Sequence, residues 1–445
     1  MPHVAFVSFT GLRICSRELL DLGMTLPGLR QRGAAIEWLP SLGLLTLAGM
    51  TPGQWTCSYH ESDRANGELI SRVCGEHPTL VAVSALTASI LEAYDFSAEL
   101  RRRRIRTVLG GLHATTCADE AGQHFDAVVV GDGEPVWGDV LRDAHDARPA
   151  TVYRPARPFD LARSPVPRYD LLGAARRPRL TLQTQRGCPL ACDFCAASRL
   201  LGPFREKPAA NIRAELDAIR SIEPRPIIEL ADDNTLAGNR DHAALLDEFE
   251  RSDVRYFTEC DWRIGEQPEL LARLAASGCV QVLVGVESLV AAPVGFGPKA
   301  ADLPRMMDAL LAIQAAGIAV IGCFIVGCDG ETRASIDALA EFLNECPLAD
   351  VQVTLQTPFP GTALRRRLER AGRILPDRDW SHYTLFDVTF QPDAMSVAEL
   401  ECGFRELVRE VYRPEAVRCR QAIRRQTWRR HPKLGRSESE PLPLS

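Results

Sequence analysis

Three cysteines that lie close together in the sequence are the residues best suited to chemistry. Cys188, Cys192 and Cys195 share one loop after a short strand-like run, with C-x3-C-x2-C spacing. Three thiolates can ligate three irons of a [4Fe–4S] cluster, and the fourth iron then keeps an open coordination position for a substrate or cofactor. A zinc site would need further ligands nearby, but the loop holds no histidine and the next cysteine is Cys260. Three unrelated buried thiols are the other alternative.

The segments around this loop predict two series of alternating strands and helices. Short apolar runs in the first third of the chain predict a Rossmann-like, doubly wound parallel sheet, an α/β domain, over residues 1–145. Prolines interrupt residues 146–178, which we therefore predict to be a linker. Six strand-like runs with helical patterns between them predict a partial (β/α)6 barrel over residues 179–365, with its site at the carboxyl ends of the strands. Residues 366–430 are expected to form a mainly helical C-terminal extension, and residues 431–445 a disordered tail.

Composition indicates a folded protein large enough for two domains. The chain has 445 residues, of which 46% are hydrophobic and 25% charged, and its net charge of -6 argues against a general nucleic-acid binder. No apolar run reaches the roughly 18 residues of a membrane helix, and no signal-peptide core follows Met1. We therefore expect a cytoplasmic protein without a membrane span.

The cysteine loop resembles that of the radical SAM superfamily, because an aromatic residue, Phe194, precedes the last cysteine and a β/α series follows. The resemblance implies that S-adenosylmethionine (SAM) chelates the free iron and that the reduced cluster cleaves it to a 5′-deoxyadenosyl radical. That radical would abstract hydrogen from the substrate. The electron would come from an external donor of the flavodoxin or ferredoxin type, and Phe194 would lie beside the adenine.

Acidic residues at strand ends are the next candidates for cofactor contact. Asp232 and Asp233 end the second barrel strand and could accept hydrogen bonds from an ammonium or ribose group. A helix N-cap is the alternative for Asp233. Glu287 and Ser288 end the fourth strand in a Gly-x-Glu-Ser segment that resembles the superfamily's, in which the carboxylate faces the SAM ribose or amino group.

Two glycines and an amide complete the candidates in the barrel. Gly322 and Gly327 belong to the fifth strand and its end, where glycine backbone could approach the adenine closely or could simply allow tight packing. Gln356 opens a Gln-Thr-Pro-Phe-Pro-Gly-Thr segment after the sixth strand that again resembles the superfamily. We expect this loop to face the cofactor or the substrate.

Glycine loops follow two strands of the first domain, at the sheet edge where open α/β sheets bind ligands. Their order resembles the cobalamin-binding domain that precedes the barrel in one class of radical SAM enzymes. No Asp-x-His-x-x-Gly segment supplies a lower-face histidine, and His113 does not fit that pattern, but members of this class often lack it. The alternative is an inherited domain that supports the structure without binding a corrinoid. The cofactor-binding candidates here are Ser84, Thr87, Gly110, Gly111, Gly131, Gly133 and Glu134.

The resemblance implies cobalamin-dependent methylation of an unactivated carbon in a small molecule, such as a natural-product or lipid precursor. Such a carbon has no nucleophilic lone pair, so a radical route is required. The alternative is a radical cyclisation, oxidation or rearrangement on the same architecture. An RNA methylthiotransferase is disfavoured because that class carries extra N-terminal cysteines and an RNA-binding domain. A basic run could be a solvated helix face or a phosphate contact: Arg418, Arg420, Arg424, Arg425, Arg429 and Arg430.

Overall fold

Two parallel six-stranded sheets form the framework of the protein. The computed structural model describes residues 1–11, 13–21, 39–173, 177, 179–190, 192–196, 200–237, 242–289 and 303–434. Among them, no helix has both the length and the apolar character needed to cross a membrane.

The first sheet has the strand order β2-β1-β3-β4-β5-β6, and every neighbouring pair is parallel. Its order reverses between β1 and β3, which is the point where such sheets bind ligands at their carboxyl edge. The strands are β1 (His3–Phe9), β2 (Thr56–Ser62), β3 (Leu80–Ala85), β4 (Arg106–Gly110), β5 (Ala127–Val129) and β6 (Val152–Tyr153).

Helices cover both faces of this sheet because its central strands are apolar on both sides. On β1, Ala5, Val7 and Phe9 pack in one hydrophobic cluster, whereas Val4 and Phe6 pack in another on the opposite face. The helices Gly67–Gly75 (α3), Ile90–Arg102 (α4) and Ala118–His124 (α6) cover the first face, and Leu42–Met50 (α2) and Trp137–His145 (α7) cover the second. The helices described in this region are α1 (Arg17–Asp21), α2 (Leu42–Met50), α3 (Gly67–Gly75), α4 (Ile90–Arg102), α5 (Leu112–Thr116), α6 (Ala118–His124) and α7 (Trp137–His145).

The second sheet has the order β14-β13-β12-β11-β10-β7, again with parallel neighbours throughout. Within the described residues β7 and β14 remain its two edges, so the sheet curves into a partial barrel without closing. A short antiparallel pair, β8 with β9, follows β7. The strands are β7 (Leu180–Leu182), β8 (Gln185–Arg186), β9 (Arg205–Glu206), β10 (Ile227–Leu230), β11 (Arg255–Cys260), β12 (Cys279–Glu287), β13 (Ala319–Val326) and β14 (Asp350–Leu355).

Helices between these strands bury one hydrophobic core against the outside of the half-barrel. The helix Val397–Val411 (α14) begins with a capping box in which Ser396 and Glu399 satisfy each other's backbone N–H groups. The helices are α8 (Ala209–Ile222), α9 (Ala243–Ser252), α10 (Pro268–Ser277), α11 (Leu303–Ala315), α12 (Arg333–Glu345), α13 (Ala363–Arg370), α14 (Val397–Val411) and α15 (Pro414–Trp428).

Three details differ from the sequence-based expectations. The predicted linker contributes β6, because Val152 and Tyr153 add a sixth strand to the first sheet. The basic run is not a uniformly solvated face, since Arg420 and Arg424 are buried and donate to Val411 O and Ala349 O. The predicted tail begins with packed residues: His431 is buried with its Nε2 3.0 Å from Cys279 O. Residues 435–445 of that tail lie outside the described residues.

Candidate active site between the two domains

The three cysteines lie in the loop that follows β8, at the carboxyl edge of the second sheet. Cys192 is buried, and Cys188 and Cys195 are half-buried. The loop begins with Gly187 in a left-handed conformation (φ +82°), and a Cβ there would lie 3.2 Å from Gly202 O. A side chain at this position would therefore be strained and crowded. Three thiols within eight residues of one partly enclosed loop fit a [4Fe–4S] cluster with three protein ligands.

Asp232 holds the segment of chain that leads into this loop. Its buried carboxylate accepts hydrogen bonds from Thr184 N at 2.8 Å, Gln185 N at 3.1 Å and Thr235 Oγ1 at 2.9 Å, and from Thr184 Oγ1. Burial raises the pKa of this carboxyl, and these hydrogen bonds oppose the rise. The hydrogen bonds from the chain occupy the acceptor positions of the Asp232 carboxylate. Asp232 therefore positions the residues before the cysteines and has no acceptor position left for the predicted contact with a cofactor.

Asp233 lies directly against the cysteine loop. Its carboxylate accepts a hydrogen bond from the backbone N–H of Gly187. Burial, together with the neighbouring Asp232 carboxylate, raises the pKa of Asp233 to about 6. The N-cap alternative finds no support, because the described chain after Asp233 runs through a turn and no helix begins there.

Glu287 ends β12 in a strained backbone conformation. It is buried, its φ is +71°, and the pairing of β12 with β13 shifts register between Gly285 and Glu287. A non-glycine residue in this region costs about 1–3 kcal/mol, so the surrounding contacts must hold it there. Such strain is typical of functional sites, which agrees with the predicted role of Glu287 as a cofactor contact.

A buried acid that the sequence did not single out, Glu331, ties two strand ends together. It accepts from Ser288 Oγ at 2.7 Å, from Gly327 N at 2.6 Å and from Cys328 N at 3.2 Å. Ser288, a predicted cofactor contact, therefore donates a hydrogen bond from its hydroxyl group to Glu331. Only the glycine-rich turn around Glu331, Gly-Cys-Asp-Gly-Glu, offered a signal in the sequence.

The two glycines of the fifth barrel strand pack tightly, which was one of the two interpretations. A Cβ on Gly322 would lie 2.8 Å from Leu348 Cδ1, and one on Gly327 (φ +92°) would lie 3.1 Å from Leu400 Cδ2. Gln356, at the end of β14, is different. Its side chain is buried, and its Oε1 has no hydrogen-bond partner among the described residues. An unpartnered buried acceptor is costly, so this atom fits a donor group of a bound ligand.

Phe194, the aromatic residue between the last two cysteines, packs on the C-terminal extension. It contacts a cluster formed by Leu364, Leu368 and Phe390. Nearby, Leu364 N donates to Asp193 O at 3.0 Å. α13 therefore adjoins the cysteine loop, and the predicted place of Phe194 beside the adenine stays a prediction.

A cavity of about 220 Å³ lies at the carboxyl edge of the first sheet. Its apolar walls include Leu47 from α2 and Val108 and Val129 from the sheet. Thr87 is outside the lining, with its Oγ1 3.3 Å from His113 Nδ1. Six of the seven residues predicted to contact cobalamin line the cavity: Ser84, Gly110, Gly111, Gly131, Gly133 and Glu134.

The cavity fits part of a cobalamin molecule. Gly111 (φ +113°) and Gly131 (φ +79°) have backbone conformations that favour glycine, and they leave bare main chain at its rim. An apolar pocket with bare backbone at its rim suits a ring that needs both burial and a few hydrogen bonds. A volume of 220 Å³ accepts a ring-sized group rather than a whole corrinoid.

The barrel supplies the rest of the cavity wall. Arg186, Leu200 and Leu201, which flank the cysteine loop on both sides, line the same cavity as the glycine loops. Arg186 donates to Asp132 Oδ1 at 2.7 Å and to Glu134 Oε1 at 2.7 Å. The predicted cobalamin contact Glu134 is thus also an inter-domain contact.

A second contact joins the first domain to the opposite edge of the barrel. A Cβ on Gly361, in the loop after β14, would lie 2.5 Å from Thr116 Cγ2 on α5. Trp380 Nε1 donates to Glu120 Oε1 at 2.9 Å. The carboxyl edges of the two sheets therefore face each other, with contacts at the β7 side and at the β14 side.

Comparison with known proteins matches each of the two domains to a protein-family model. Residues 37–141 match the B12 binding domain and residues 182–343 match the radical SAM superfamily. Residues 362–441 match a domain of unknown function, DUF4070. These matches define a protein with two cofactor domains.

Relatives and a solved structure agree with this assignment. The chain is 26% identical to an uncharacterized methyltransferase of Synechocystis sp. over 76% of this chain and 64% of that protein. It is 25% identical to the bacteriochlorophyllide d C-12(1)-methyltransferase of Chlorobaculum tepidum, covering 76% and 75%. It is 22% identical to the anaerobic magnesium-protoporphyrin IX monomethyl ester cyclase of Cereibacter sphaeroides, covering 88% and 70%. The fold is similar to that of the radical S-adenosylmethionine methyltransferase TsrM from Kitasatospora setae, with a TM-score of 0.63, 15% identity, and 91% and 82% coverage.

The chain therefore carries a radical SAM domain that is preceded by a B12 binding domain. Its cofactors are a [4Fe–4S] cluster, SAM and cobalamin. The α/β fold class, the partial barrel and the expected cofactors are thereby confirmed.

Proposed function

We propose that the protein is a cobalamin-dependent radical SAM methyltransferase that adds a methyl group to an unactivated carbon of a small molecule. One observation carries the proposal: the cavity of the first domain shares its wall with both flanks of the cysteine loop. Methyl transfer through cobalamin requires that corrinoid and SAM meet at one site. A wall formed by Gly111, Gly131 and Arg186 supplies such a shared boundary.

The chain's own residues would hold and orient the cofactors. Cys188, Cys192 and Cys195 would ligate the cluster, which supplies the electron for radical generation from SAM. Gln356 Oε1 would accept a hydrogen bond from the bound cofactor, since no described residue satisfies it. Glu287, fixed in its strained conformation at the end of β12, would present its carboxylate to the same ligand.

The substrate is proposed to be a small molecule that enters between the facing carboxyl edges of the two sheets. The similarity to an enzyme named for methylating bacteriochlorophyllide d supports a small-molecule acceptor. We further propose an external electron donor of the flavodoxin or ferredoxin type and a cytoplasmic setting.

The first experiment is anaerobic purification with cobalamin supplied, followed by measurement of iron, sulfide and corrinoid. We expect about four irons per chain, as a [4Fe–4S] cluster requires, together with bound corrinoid. A Cys188→Ala, Cys192→Ala, Cys195→Ala triple variant should lose the iron and keep the corrinoid. Iron retained in that variant would overturn the cluster assignment.

A second experiment separates methylation from the other radical outcomes. The loaded enzyme is incubated with a reductant and SAM labelled in its methyl group, and transfer of label to the bound cobalamin is measured. We expect transfer. Cleavage of SAM without any label on cobalamin would favour the cyclase-type alternative, to which the relative in Cereibacter sphaeroides gives independent support.

A further inference from the structure

Among the described residues, Arg186 alone both directly precedes the cysteine loop and forms ion pairs with the wall of the first domain's cavity. It lies two residues before Cys188, lines the cavity of the first domain and bonds two acids of the Gly131–Glu134 loop. Arg205 on β9 also donates to Asp132, at 2.6 Å. The Arg186 side chain therefore joins the turn before the cysteine loop directly to the cavity.

These ion pairs are mostly enclosed, so their geometry is well defined. The side chains of Arg186, Asp132 and Glu134 are 14%, 10% and 7% exposed. The guanidinium group binds Glu134 through two nitrogens, Nη2 at 2.7 Å and Nη1 at 3.3 Å. A fork of this kind fixes orientation as well as distance, which a lysine could not do.

We propose that Arg186 is a positioning residue that couples corrinoid occupancy of the first domain to the cysteine loop of the barrel. A corrinoid bound in the cavity restricts the motion of the Gly131–Glu134 loop. Through its ion pairs with this loop, Arg186 then restricts the motion of Gly187 and Cys188. The inference rests on the cobalamin site that the proposed function uses, but not on methyl transfer itself. Failure to transfer a methyl group would therefore leave it open to test by binding alone.

The coupling must act in both directions, because two sites linked by one free energy affect each other's binding equally. A loaded cluster orders the cysteine loop and should tighten corrinoid binding. Bound corrinoid should in turn slow the loss of the cluster. Couplings of this kind are typically about 5- to 150-fold in affinity.

The test measures the dissociation constant of hydroxocobalamin by anaerobic equilibrium dialysis, on cluster-loaded protein and on protein freed of its cluster by a chelator. In the wild type we expect the loaded form to bind more tightly by about fivefold or more. In Arg186→Gln this ratio should fall to near one, while cluster content and circular dichroism stay close to wild type.

Thr115→Ala is the matched control. Thr115 lines the same cavity, and its hydroxyl donates to Gly111 O at 2.8 Å and accepts from Gly131 N at 3.0 Å, so both bonds stay within the first domain. This variant should weaken hydroxocobalamin binding in both forms and leave their ratio unchanged. A ratio near one in the wild type, or an unchanged ratio in Arg186→Gln, would overturn the proposal.

Glu134→Gln provides a second route if Arg186→Gln does not fold. It removes one charge of the pair and should lower the ratio without abolishing it, because Asp132 still bonds Arg186. The iron that the wild type retains at equilibrium against a fixed concentration of chelator offers an independent readout. Equal retention with and without hydroxocobalamin would contradict the coupling.

Discussion

Ser288 Oγ donates to the buried carboxylate of Glu331 at 2.7 Å, and this bond holds the end of β12 against the turn after β13. The same carboxylate accepts from Gly327 N. Burial raises the pKa of Glu331, while the bonds from Ser288, Gly327 and Cys328 favour its charged form. The acid thereby sets the spacing of two strand ends that face the proposed SAM site.

Replacing Glu331 by Gln should weaken SAM binding by about tenfold. A hydrogen bond to a charged group contributes about 1.5–3 kcal/mol, and part of that loss would reach the ligand through Ser288 and Glu287. The measurement is equilibrium dialysis of SAM on cluster-loaded protein. Asp393→Asn serves as control, because exposed Asp393 also accepts a nearby backbone bond, from Gly330 N at 3.0 Å. An unchanged affinity in Glu331→Gln would remove this acid from the site.

Gly361→Ala should loosen the contact between the first domain and the barrel. Its φ of +81° adds backbone strain, and the new Cβ would meet Thr116 Cγ2 at 2.5 Å. Gly372→Ala isolates the backbone cost, since Gly372 has φ +65° and open space around it. We expect Gly361→Ala to destabilise by about 1–3 kcal/mol more than Gly372→Ala, as overpacking does, in urea unfolding followed by tryptophan fluorescence.

Thr116→Ser provides the rescue for this steric prediction. Serine keeps the hydroxyl group of Thr116 but lacks the methyl group that the new Cβ would meet. Added to Gly361→Ala, it should restore most of the stability lost to the steric overlap, which is a non-additive result for residues in contact. Additive effects of the two changes would contradict the close approach.

The sequence predicted the elements that carry strong local patterns, and it missed those that depend on partners far along the chain. The cysteine loop and the apolar strands could be recognised because ligand spacing and hydrophobic runs are local. β2 was not predicted because Thr56–Ser62 is mostly polar and lies half-exposed at a sheet edge, so it has no apolar run. Glu331 was not predicted because its role depends on a hydrogen bond from Ser288, which lies 43 positions away in the sequence. The roles of Asp232 and Glu134 also follow from distant partners, Thr184 and Arg186.

Arg424→Met should strongly destabilise the C-terminal extension. The buried guanidinium donates to Asp350 Oδ2 and to Ala349 O, and removing one partner of a buried pair typically costs about 3–5 kcal/mol. Arg425→Met is the matched control on the same helix, because Arg425 is exposed and should change stability by less than about 0.5 kcal/mol. Similar melting temperatures for the two variants would show that α15 is not anchored at Asp350.

Two buried histidines should make the protein sensitive to acid. Burial lowers the pKa of His113 and of His431 to about 4, so both are neutral in the folded state at pH 7. As pH falls below about 6.5, the unfolded chain takes up protons that the folded chain refuses until about pH 4. The free energy of unfolding should therefore drop by up to about 3 kcal/mol per histidine across that window.

The pH prediction is checked by urea unfolding at pH 7, 6, 5 and 4. His113→Gln should flatten the decline by its own share, because glutamine does not titrate. His145→Gln, at an exposed position at the end of α7, should leave the slope as it is in the wild type. An equal decline in all three proteins would mean that other groups cause the acid sensitivity.

The backbone N–H of Cys15 donates to Asp387 Oδ2 at 2.9 Å, although the two residues are 372 positions apart. With the bond from Trp380 to Glu120, it joins the first domain to a segment that follows every strand of the barrel in the sequence. The first sheet can form once β6 has been made, but this contact with the barrel domain cannot form until the segment after β14 has been made. The β14 side of the cleft between the domains is therefore completed after the β7 side, where Arg186 contacts Asp132 and Glu134.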